Sequence, residues 1–402
     1  MDPICHKKGN FMYKYLLLLI VISTSSIGYS FETTGYFRTG IGVSEEGNNQ
    51  ECFQLTGALS KYRLGNECEQ YGEFYGKQDF LEFSDHSKLS INGMIQFYNS
   101  YGKTLTFNNE SGFTRLNQFY LNWSNISSLN GANLWVGRRY YNRNDSNMSD
   151  FFYWSETGTG FGIDNYKIAG VGLNYSFSKK DTQWQKSNVD RHNLTIKDIH
   201  LIPNNELQIG LSYLNDDKAK DGWALTVQDI HSEVLNGKNR LIFQYGEGGG
   251  IGLGYTGDTS LSRENYAYRI MNILDWQNES KKLNGQSQIL YQKNNYIEQP
   301  DLEWISLGLR ASYSFVDNFK VSAEIGYDQI KDINKRNLTK LTIAPTWSPK
   351  GNGFYDRPEL RLYYTYAFWN KNEENLRSEN PALAFQNENH GSNFGIQYEY
   401  WW

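Results

Sequence analysis

Polar and apolar side chains alternate along much of this chain, and its last nine residues carry the pattern most clearly. Every second residue from Phe394 to Trp402 is aromatic or aliphatic, and Gln397, Glu399 and Trp401 lie between them. This period of two predicts a β-strand with one apolar face. An apolar face rich in aromatic residues is typical of a transmembrane β-barrel, where it meets lipid and the membrane interfaces.

The same alternation recurs upstream. In residues 36–43, Tyr36 and Arg38 share one face and Phe37 lies on the other. Because Arg is costly against lipid, Tyr36 and Arg38 are expected to face the lumen. Further strands are predicted at Arg63–Tyr75, Leu134–Tyr141, Ile168–Phe177, Leu207–Leu214, Trp223–Ile230, Leu241–Tyr245, Ser287–Gln292, Ile305–Phe315, Phe319–Tyr327, Leu341–Trp347 and Arg357–Trp369.

Polar segments rich in Asn, Gly and Ser separate these strands, and no shift in composition marks a second domain. Residues 31–402 are therefore predicted to form one all-β domain, a transmembrane antiparallel barrel. At roughly 20 residues per strand and connection, this length allows about 16–18 strands, a size that encloses an aqueous channel.

Residues 1–30 are predicted to be a secretory signal peptide. Three Lys residues precede a short apolar core at Tyr15–Ile22, and the small residues Gly28 and Ser30 suit a cleavage site before Phe31. The apolar run is short for a spanning helix, which weighs against the alternative of a membrane anchor. Met12 is an alternative start, because residues 12–30 already hold all three parts of a signal.

The remaining composition narrows the function. The first thirty residues hold three Lys and one Asp, so the 39 basic and 44 acidic residues of the whole chain fall to 36 and 43, a formal charge of −7. Mild acidity without basic clusters argues against nucleic acid as a partner. The 30 Tyr, 22 Phe and 11 Trp, in a chain with only 7 Pro, suit a barrel with a wet lumen and wet loops.

Cys52 and Cys68 are the two cysteines left after the signal. An even pair in an exported chain predicts a disulfide, with two free thiols as the alternative. The entropy model gives about 3 kcal/mol for a loop of this size.

Motifs of catalysis are missing from the sequence. Gly-x-Ser-x-Gly, His-Glu-x-x-His and the phosphate-binding Gly-x-x-x-x-Gly-Lys-Ser/Thr do not occur. The glycine run Gly248–Gly254 lacks a strand–helix context and predicts a hairpin loop. The protein is therefore expected not to be an enzyme, and no cofactor or metal is expected.

A lumen with both aromatic and charged residues suits sugar transport. Aromatic faces stack on pyranose rings, and charged side chains exchange hydrogen bonds with hydroxyl groups, so a sugar is bound weakly enough to leave. For any single lumen Tyr or Trp, the alternative is packing within the barrel or a place in a girdle.

Three segments resemble the maltoporin family. Gly35–Gly42 resembles its first strand, Cys52–Glu73 its first loop and second strand, and Gly137–Trp154 its constriction loop. Weaker matches follow in the same order at Lys220–Trp223, Arg269–Asp275, Glu324–Asp328, Arg357–Pro358, Thr365–Ala367 and Trp401–Trp402.

The resemblance implies a homotrimer of 18-stranded barrels in the bacterial outer membrane, each with an inward-folded loop and an aromatic slide for malto-oligosaccharides. Matched by position, the slide comprises Tyr36, Tyr71, Tyr355 and Trp401, with Phe107 in place of a Trp that a neighbouring subunit supplies. The polar track comprises Arg38, Arg63, Glu73, Arg115, Arg143, Asp145 and Asp150.

Four positions depart from the family. Phe152 replaces the Tyr of the constriction, Asn147 a His, Ser155 an acidic residue, and Lys238 a slide aromatic. Fewer polar groups at the narrowest point put strict maltodextrin preference in question, because hydrogen bonds to particular hydroxyls discriminate strongly. The alternatives are a porin for another di- or oligosaccharide, a general diffusion porin, and a receptor or adhesin barrel whose loops carry the function.

Overall fold

The computed structural model describes residues 31–104, 106–109, 112–180, 189–216, 219–380 and 385–402; the predicted signal peptide, residues 1–30, lies outside them. In this part of the chain eighteen long strands form one antiparallel sheet, with the two-residue strand Asn108–Asn109 attached. The long strands are β1 (Phe31–Ser44), β2 (Glu69–Glu82), β3 (Lys88–Ser100), β4 (Gly112–Ile126), β5 (Ala132–Arg139), β6 (Gly158–Ile168), β7 (Val171–Lys180), β8 (Asp190–Ile199), β9 (Asn205–Asp216), β10 (Ala219–Val234), β11 (Gly237–Glu247), β12 (Tyr266–Gln277), β13 (Leu283–Asn295), β14 (Leu302–Val316), β15 (Phe319–Lys331), β16 (Lys335–Trp347), β17 (Glu359–Trp369) and β18 (His390–Trp401).

The sheet closes on itself through its first and last strands. β1 pairs with β2 on one side and with β18 on the other, with Tyr36 opposite Trp401 and Val43 opposite Phe394. Closure leaves no long strand with an unpaired edge. The predicted antiparallel barrel is confirmed, at the upper end of the predicted strand number.

Alternation sorts the side chains as predicted. In β17 the even residues face outward, with Leu362 46% and Tyr364 48% exposed, while Arg361 and Tyr363 are buried inside. Ile41 of β1 is likewise exposed outside, and its neighbour on the opposite face, Arg38, is buried. These strands therefore present apolar side chains to the outside of the barrel and polar side chains such as Arg38 and Arg361 to the inside.

The two ends of the barrel differ. Residues 127–131, 169–170 and 317–318 are short turns at the end that carries both the start of β1 and the end of β18, hereafter the turn end. The longest connections lie at the opposite end, hereafter the loop end. In outer-membrane barrels, the short turns are periplasmic and the long loops extracellular.

Helical segments are few and short in the described ranges. Ser127–Leu129 and Gly248–Gly252 are 3-10 helices, and α1 (Lys371–Glu379) begins after Asn370, whose side chain accepts a hydrogen bond from the Glu373 amide. None of them has the length and apolarity needed to cross a bilayer.

Two loops of the loop end fold into the lumen. The first inward loop (residues 45–68) is closed by the Cys52–Cys68 disulfide, with the two Cα atoms 5.8 Å apart. The constriction loop (residues 140–157) contains a small hairpin of Asn144–Ser146 and Phe151–Trp154. The predicted disulfide is thus present in the structure.

Both loops pack on one half of the barrel wall through an apolar cluster inside the lumen. The wall supplies buried side chains of β11–β17, and the loops supply aromatic and aliphatic residues. Its principal members are Phe53, Leu55, Phe151, Tyr153, Trp154, Ile242, Met271, Ile273, Leu290, Trp304, Ile330, Leu338 and Trp369. The lumen therefore has one covered wall, β11–β17, and one open wall.

Four predicted strands extend two or more residues beyond the observed ones. Leu134–Tyr141 runs into the constriction loop at Tyr140, and Arg357–Trp369 begins two residues before β17. Residues 63–68 of Arg63–Tyr75 belong to the first inward loop, whose inward fold is held by the Cys52–Cys68 disulfide and by the ion pairs of Glu67 with Arg38 and Arg63. Ile168–Phe177 spans a turn at residues 169–170, where Ala169 and Gly170 adopt positive φ. Five strands went unpredicted: β3, β4, β6, β8 and β12.

Candidate functional site

A cavity of about 460 Å³ lies between the open wall and the constriction loop. β1, β2, β3 and β18 form one side of it, and the constriction loop forms the other. Its lining residues are Tyr36, Arg38, Arg63, Glu69, Tyr71, Glu73, Tyr98, Arg143, Asp145, Asn147, Asp150, Phe152 and Trp401. Ten of the thirteen predicted slide, track and constriction residues therefore meet in one place.

Three aromatic rings follow one another around the open wall; Trp401, Tyr36 and Tyr71 are hereafter the aromatic arc. The Tyr36 and Trp401 ring centroids are 6.1 Å apart and the rings are stacked, while Tyr36 and Tyr71 are 5.8 Å apart. They lie on β18, β1 and β2, and Tyr36 pairs with Trp401 in the strand register. Strand pairing thus fixes the arc, because each ring is held by a neighbouring strand.

Guanidinium groups lie beside each ring of the arc. The Arg357 guanidinium carbon is 4.3 Å from the Trp401 centroid, and that of Arg38 is 5.0 Å from the Tyr71 centroid. Such contacts attract a cation to the ring face and hold both groups in place.

Carboxylates beneath the arc hold these arginines. The Tyr36 hydroxyl donates to Glu399 (2.7 Å) and accepts from Arg63 (2.6 Å). Arg63 also pairs with Glu67 at 2.6 Å, and Arg38 pairs with Glu67 at 2.9 Å. Arg38 and Arg63, which line the cavity, are thus already paired with carboxylates, and this pairing keeps their N–H donors in fixed directions.

Glu67 is the centre of this network in the first inward loop. Burial alone would raise the pKa of its carboxyl, but Arg38, Lys61 and Arg63 outweigh burial and hold the pKa well below its usual range. Glu67 is therefore ionised at neutral pH and ties the loop to the wall.

The constriction loop presents a cation between two rings. The Arg143 guanidinium carbon is 4.0 Å from the centroid of Tyr140 and 4.0 Å from that of Phe152. The Phe152 ring thus stacks on the Arg143 guanidinium. Nearby, burial raises the pKa of Asp145, an effect that Arg240 and Arg143 only partly offset.

Glutamine side chains of the covered wall form hydrogen bonds with the side of the constriction loop that faces away from the first cavity. Gln286 accepts a hydrogen bond from the Met148 amide (2.8 Å), and Gln288 accepts one from the Ser149 hydroxyl (2.7 Å). The Gln244 amide donates to the carbonyl of Tyr153 at 2.9 Å. Polar bonds and the apolar cluster together fix how far the loop reaches into the pore.

The other three predicted site residues lie elsewhere. Tyr355 is in a second cavity of about 600 Å³ at the turn end, where its hydroxyl donates to Asp275 (2.9 Å) and where Lys238 also lies. Phe107 is 83% exposed, in the connection between β3 and β4. Arg115 lies 3.5 Å from the centroid of Phe113, beside the first cavity.

Three lining residues, Glu69, Tyr98 and Asn147, and two supporting carboxylates, Glu67 and Glu399, were not among the predicted slide, track and constriction residues. Glu399 binds Tyr36, Arg63 and Arg357, and Tyr98 lines the cavity from β3. The signal for Tyr98 was in the sequence, because polar and apolar residues alternate from Lys88 to Ser100.

Comparison with known proteins agrees with this architecture. A family model described as LamB porin matches residues 31–402. Among solved structures, OccAB3 of Acinetobacter baumannii is similar with a TM-score of 0.56 at 8% identity, over 93% of this chain and 100% of that one. OpdK of Pseudomonas aeruginosa, in a structure with vanillate, gives 0.55 at 9% identity over 93% and 99%. OccAB1 of Acinetobacter baumannii gives 0.52 at 11% identity over 95% and 99%. At these identities the structural likeness concerns the fold alone.

Proposed function

Because the chain belongs to the LamB porin family, we propose that it is a homotrimeric channel for the passive diffusion of maltose and malto-oligosaccharides. Its family and fold place it in the bacterial outer membrane, which it crosses with strands, and indicate a channel rather than an enzyme. The sugar and the trimer are the proposed parts.

The observation that carries the proposal is the aromatic arc facing a polar loop across one cavity. Trp401, Tyr36 and Tyr71 offer ring faces for successive pyranose units. Across the cavity, Arg143, Asp145 and other track residues supply donors and acceptors for hydroxyl groups. A linear oligosaccharide moves along such a path by exchanging one set of weak contacts for the next.

The exposed Phe107 supports the trimer. Phe107 is 83% exposed in a loop at the loop end, so its ring is accessible to a neighbouring subunit. In the trimer that we propose, Phe107 reaches the pore of the next subunit, where it serves as the first ring of that slide.

The second candidate function is a channel for another di- or oligosaccharide. Phe152 and Asn147 both line the cavity and replace more polar family residues, and Lys238 replaces a slide ring near the turn end. Phe152 lacks a hydroxyl partner for the sugar, Asn147 offers a different one, and Lys238 replaces a stacking ring by a cation. Discrimination between sugars depends on such contacts.

Liposome swelling tests the proposal. Vesicles with the refolded protein are transferred into isosmotic maltose, maltotriose, sucrose or vanillate, and empty vesicles are the control. We expect maltose and maltotriose to enter well above the empty-vesicle rate and faster than sucrose. Sucrose entering faster would favour the second candidate, and maltodextrins entering no faster than in empty vesicles would contradict the proposed channel.

A further inference from the structure

The open wall carries more ring surface than the aromatic arc. Tyr98 of β3 lies directly opposite Tyr71 of β2 in the strand register. Phe113 of β4 lies opposite Tyr98 in turn, and the two rings are stacked, 5.2 Å apart between centroids and 10° from parallel. Lumen-facing rings therefore occur on five successive strands, from Trp401 on β18 to Phe113 on β4.

Tyr98 also lies between two cavities. A third cavity, of about 530 Å³, lies on the loop-end side of the first, and Tyr98 and Glu69 line both. The Cys52–Cys68 disulfide forms part of its wall, next to Gln54 and Lys103. Tyr98 therefore lies where the two cavities meet, next to Tyr71 in the strand register.

The Tyr98 ring is held ready for a ligand. Phe113 stacks on it, and the Arg115 guanidinium carbon lies 3.5 Å from the Phe113 centroid, so the supporting ring is fixed in turn. A ring whose orientation is set before binding loses little entropy when a sugar stacks on it.

We propose that Tyr98, supported by Phe113, forms an additional pyranose-stacking subsite at the loop-end entrance of the pore. This inference rests on the proposed sugar channel. A disaccharide on the aromatic arc does not reach the subsite, whereas a longer oligosaccharide lies across both. The subsite therefore adds affinity only for long chains, and it makes the channel favour oligosaccharides over maltose.

Block of ion current in planar bilayers by maltose and by maltohexaose tests the subsite. For Tyr98→Ala we expect the maltohexaose affinity to fall about tenfold, as one stacking contact is lost, and the maltose affinity to stay the same. Tyr98→Phe keeps the ring and is expected to retain both affinities. If the alanine variant does not assemble, Tyr98→Leu keeps apolar volume without a flat ring and is expected to lose the same long-chain affinity.

Tyr71→Ala separates this inference from the proposed function, because it is expected to weaken both sugars. If sugars block the wild-type channel but Tyr98→Ala binds maltohexaose as tightly as wild type, the subsite is overturned and the sugar channel is not. An equal loss for both sugars in Tyr98→Ala would also overturn the subsite. A wild-type channel that neither sugar blocks would overturn the sugar channel and the subsite together.

Discussion

The open and covered walls of the barrel share one backbone pattern and differ in what faces inward. On the open wall, β18, β1 and β2 present Trp401, Tyr36 and Tyr71 to a cavity. On the covered wall, β11–β17 present aliphatic side chains such as Ile242 and Leu290, both fully buried. The group of aliphatic residues on the inner face of β11–β17 therefore marks the place where the two loops fold in.

The comparison also explains how the pore gets its shape. The covered wall binds the first inward loop and the constriction loop by burying apolar surface, which removes roughly 25 cal/mol per Å² of unfavourable hydration. The open wall remains wet and carries the groups for a solute. Weakening the covered wall is expected to change pore size, and weakening the open wall is expected to change solute affinity.

Trp304→Ala gives the largest expected effect on the covered wall. Trp304 is 1% exposed, packs edge-to-face on Phe151 at 5.3 Å, and donates from its indole to Asp328. Loss of a buried Trp costs about 4 kcal/mol and frees the constriction loop. We expect urea to unfold the variant at a lower concentration and single-channel conductance to rise.

Trp347→Ala is the matched control, since Trp347 is 45% exposed on the outside of β16. Its conductance is expected to stay near wild type, because its ring faces outward and does not contact the constriction loop. An equal rise in conductance in the two variants would show that the inner cluster does not hold the loop.

Glu67→Gln comes next, because it leaves Arg38, Lys61 and Arg63 without their shared carboxylate at a cost of about 3 kcal/mol. The pKa of Glu67 is depressed in the folded state, so its stabilising effect is complete above the unfolded pKa of about 4.3 and is lost as the pH falls further. We therefore expect the stability difference between wild type and variant to be largest at pH 7 and to shrink towards pH 3. A difference that stays constant over this range would contradict the assigned ionisation.

Gly254→Ala tests the contact between the constriction loop and the glycine-rich connection of β11 and β12. A Cβ at Gly254 would lie 2.0 Å from the carbonyl oxygen of Tyr153. We expect the free energy of unfolding to fall by about 2 kcal/mol through overpacking, and the conductance to change, because the backbone at Gly254 or Tyr153 must move. Gly93→Ala, whose Cβ would meet its nearest atom at 3.9 Å, is expected to change neither property. Wild-type conductance in Gly254→Ala would mean that this contact does not position the loop.

Tyr36→Phe is the smallest change and separates ring from hydroxyl on the open wall. It removes the hydrogen bonds to Glu399 and Arg63, at about 1.5 kcal/mol of stability, and keeps the stacking surface. Maltotriose affinity in bilayers is expected to stay within about threefold of wild type, and to fall further in Tyr36→Ala. An equally large fall in Tyr36→Phe and Tyr36→Ala would assign the binding to the hydroxyl.

Alternation alone predicted the barrel and the inward face of Tyr36 and Arg38, because only a closed sheet satisfies both faces in a membrane. Alternation failed to predict strands in which one face carries both polar and apolar residues. The inner face of β12 includes Met271 and Ile273, so its two faces look alike in the sequence. In β4 a register shift at Asn117 interrupts the period of two.

Most residues that line the pore cavity were predicted, but the residues that hold them in place were not. Ten positions of the pore cavity followed from the resemblance, but the partners that hold them are long-range: Glu399 and Arg63 are far apart in sequence and 3.0 Å apart in the barrel. The role of Tyr98 depends on the stack with Phe113 and on the junction of two cavities, and neither is visible from alternation.

The most direct test of the sugar channel is the titration of single-channel current with maltotriose, in wild type and in a Tyr71→Ala, Trp401→Ala double variant. We predict that maltotriose closes the wild-type channel in steps of one third, at a rate that rises with concentration. The double variant is predicted to conduct ions and to need roughly 100-fold more sugar, because two stacking contacts are lost. A wild-type current that maltotriose never interrupts would contradict the account.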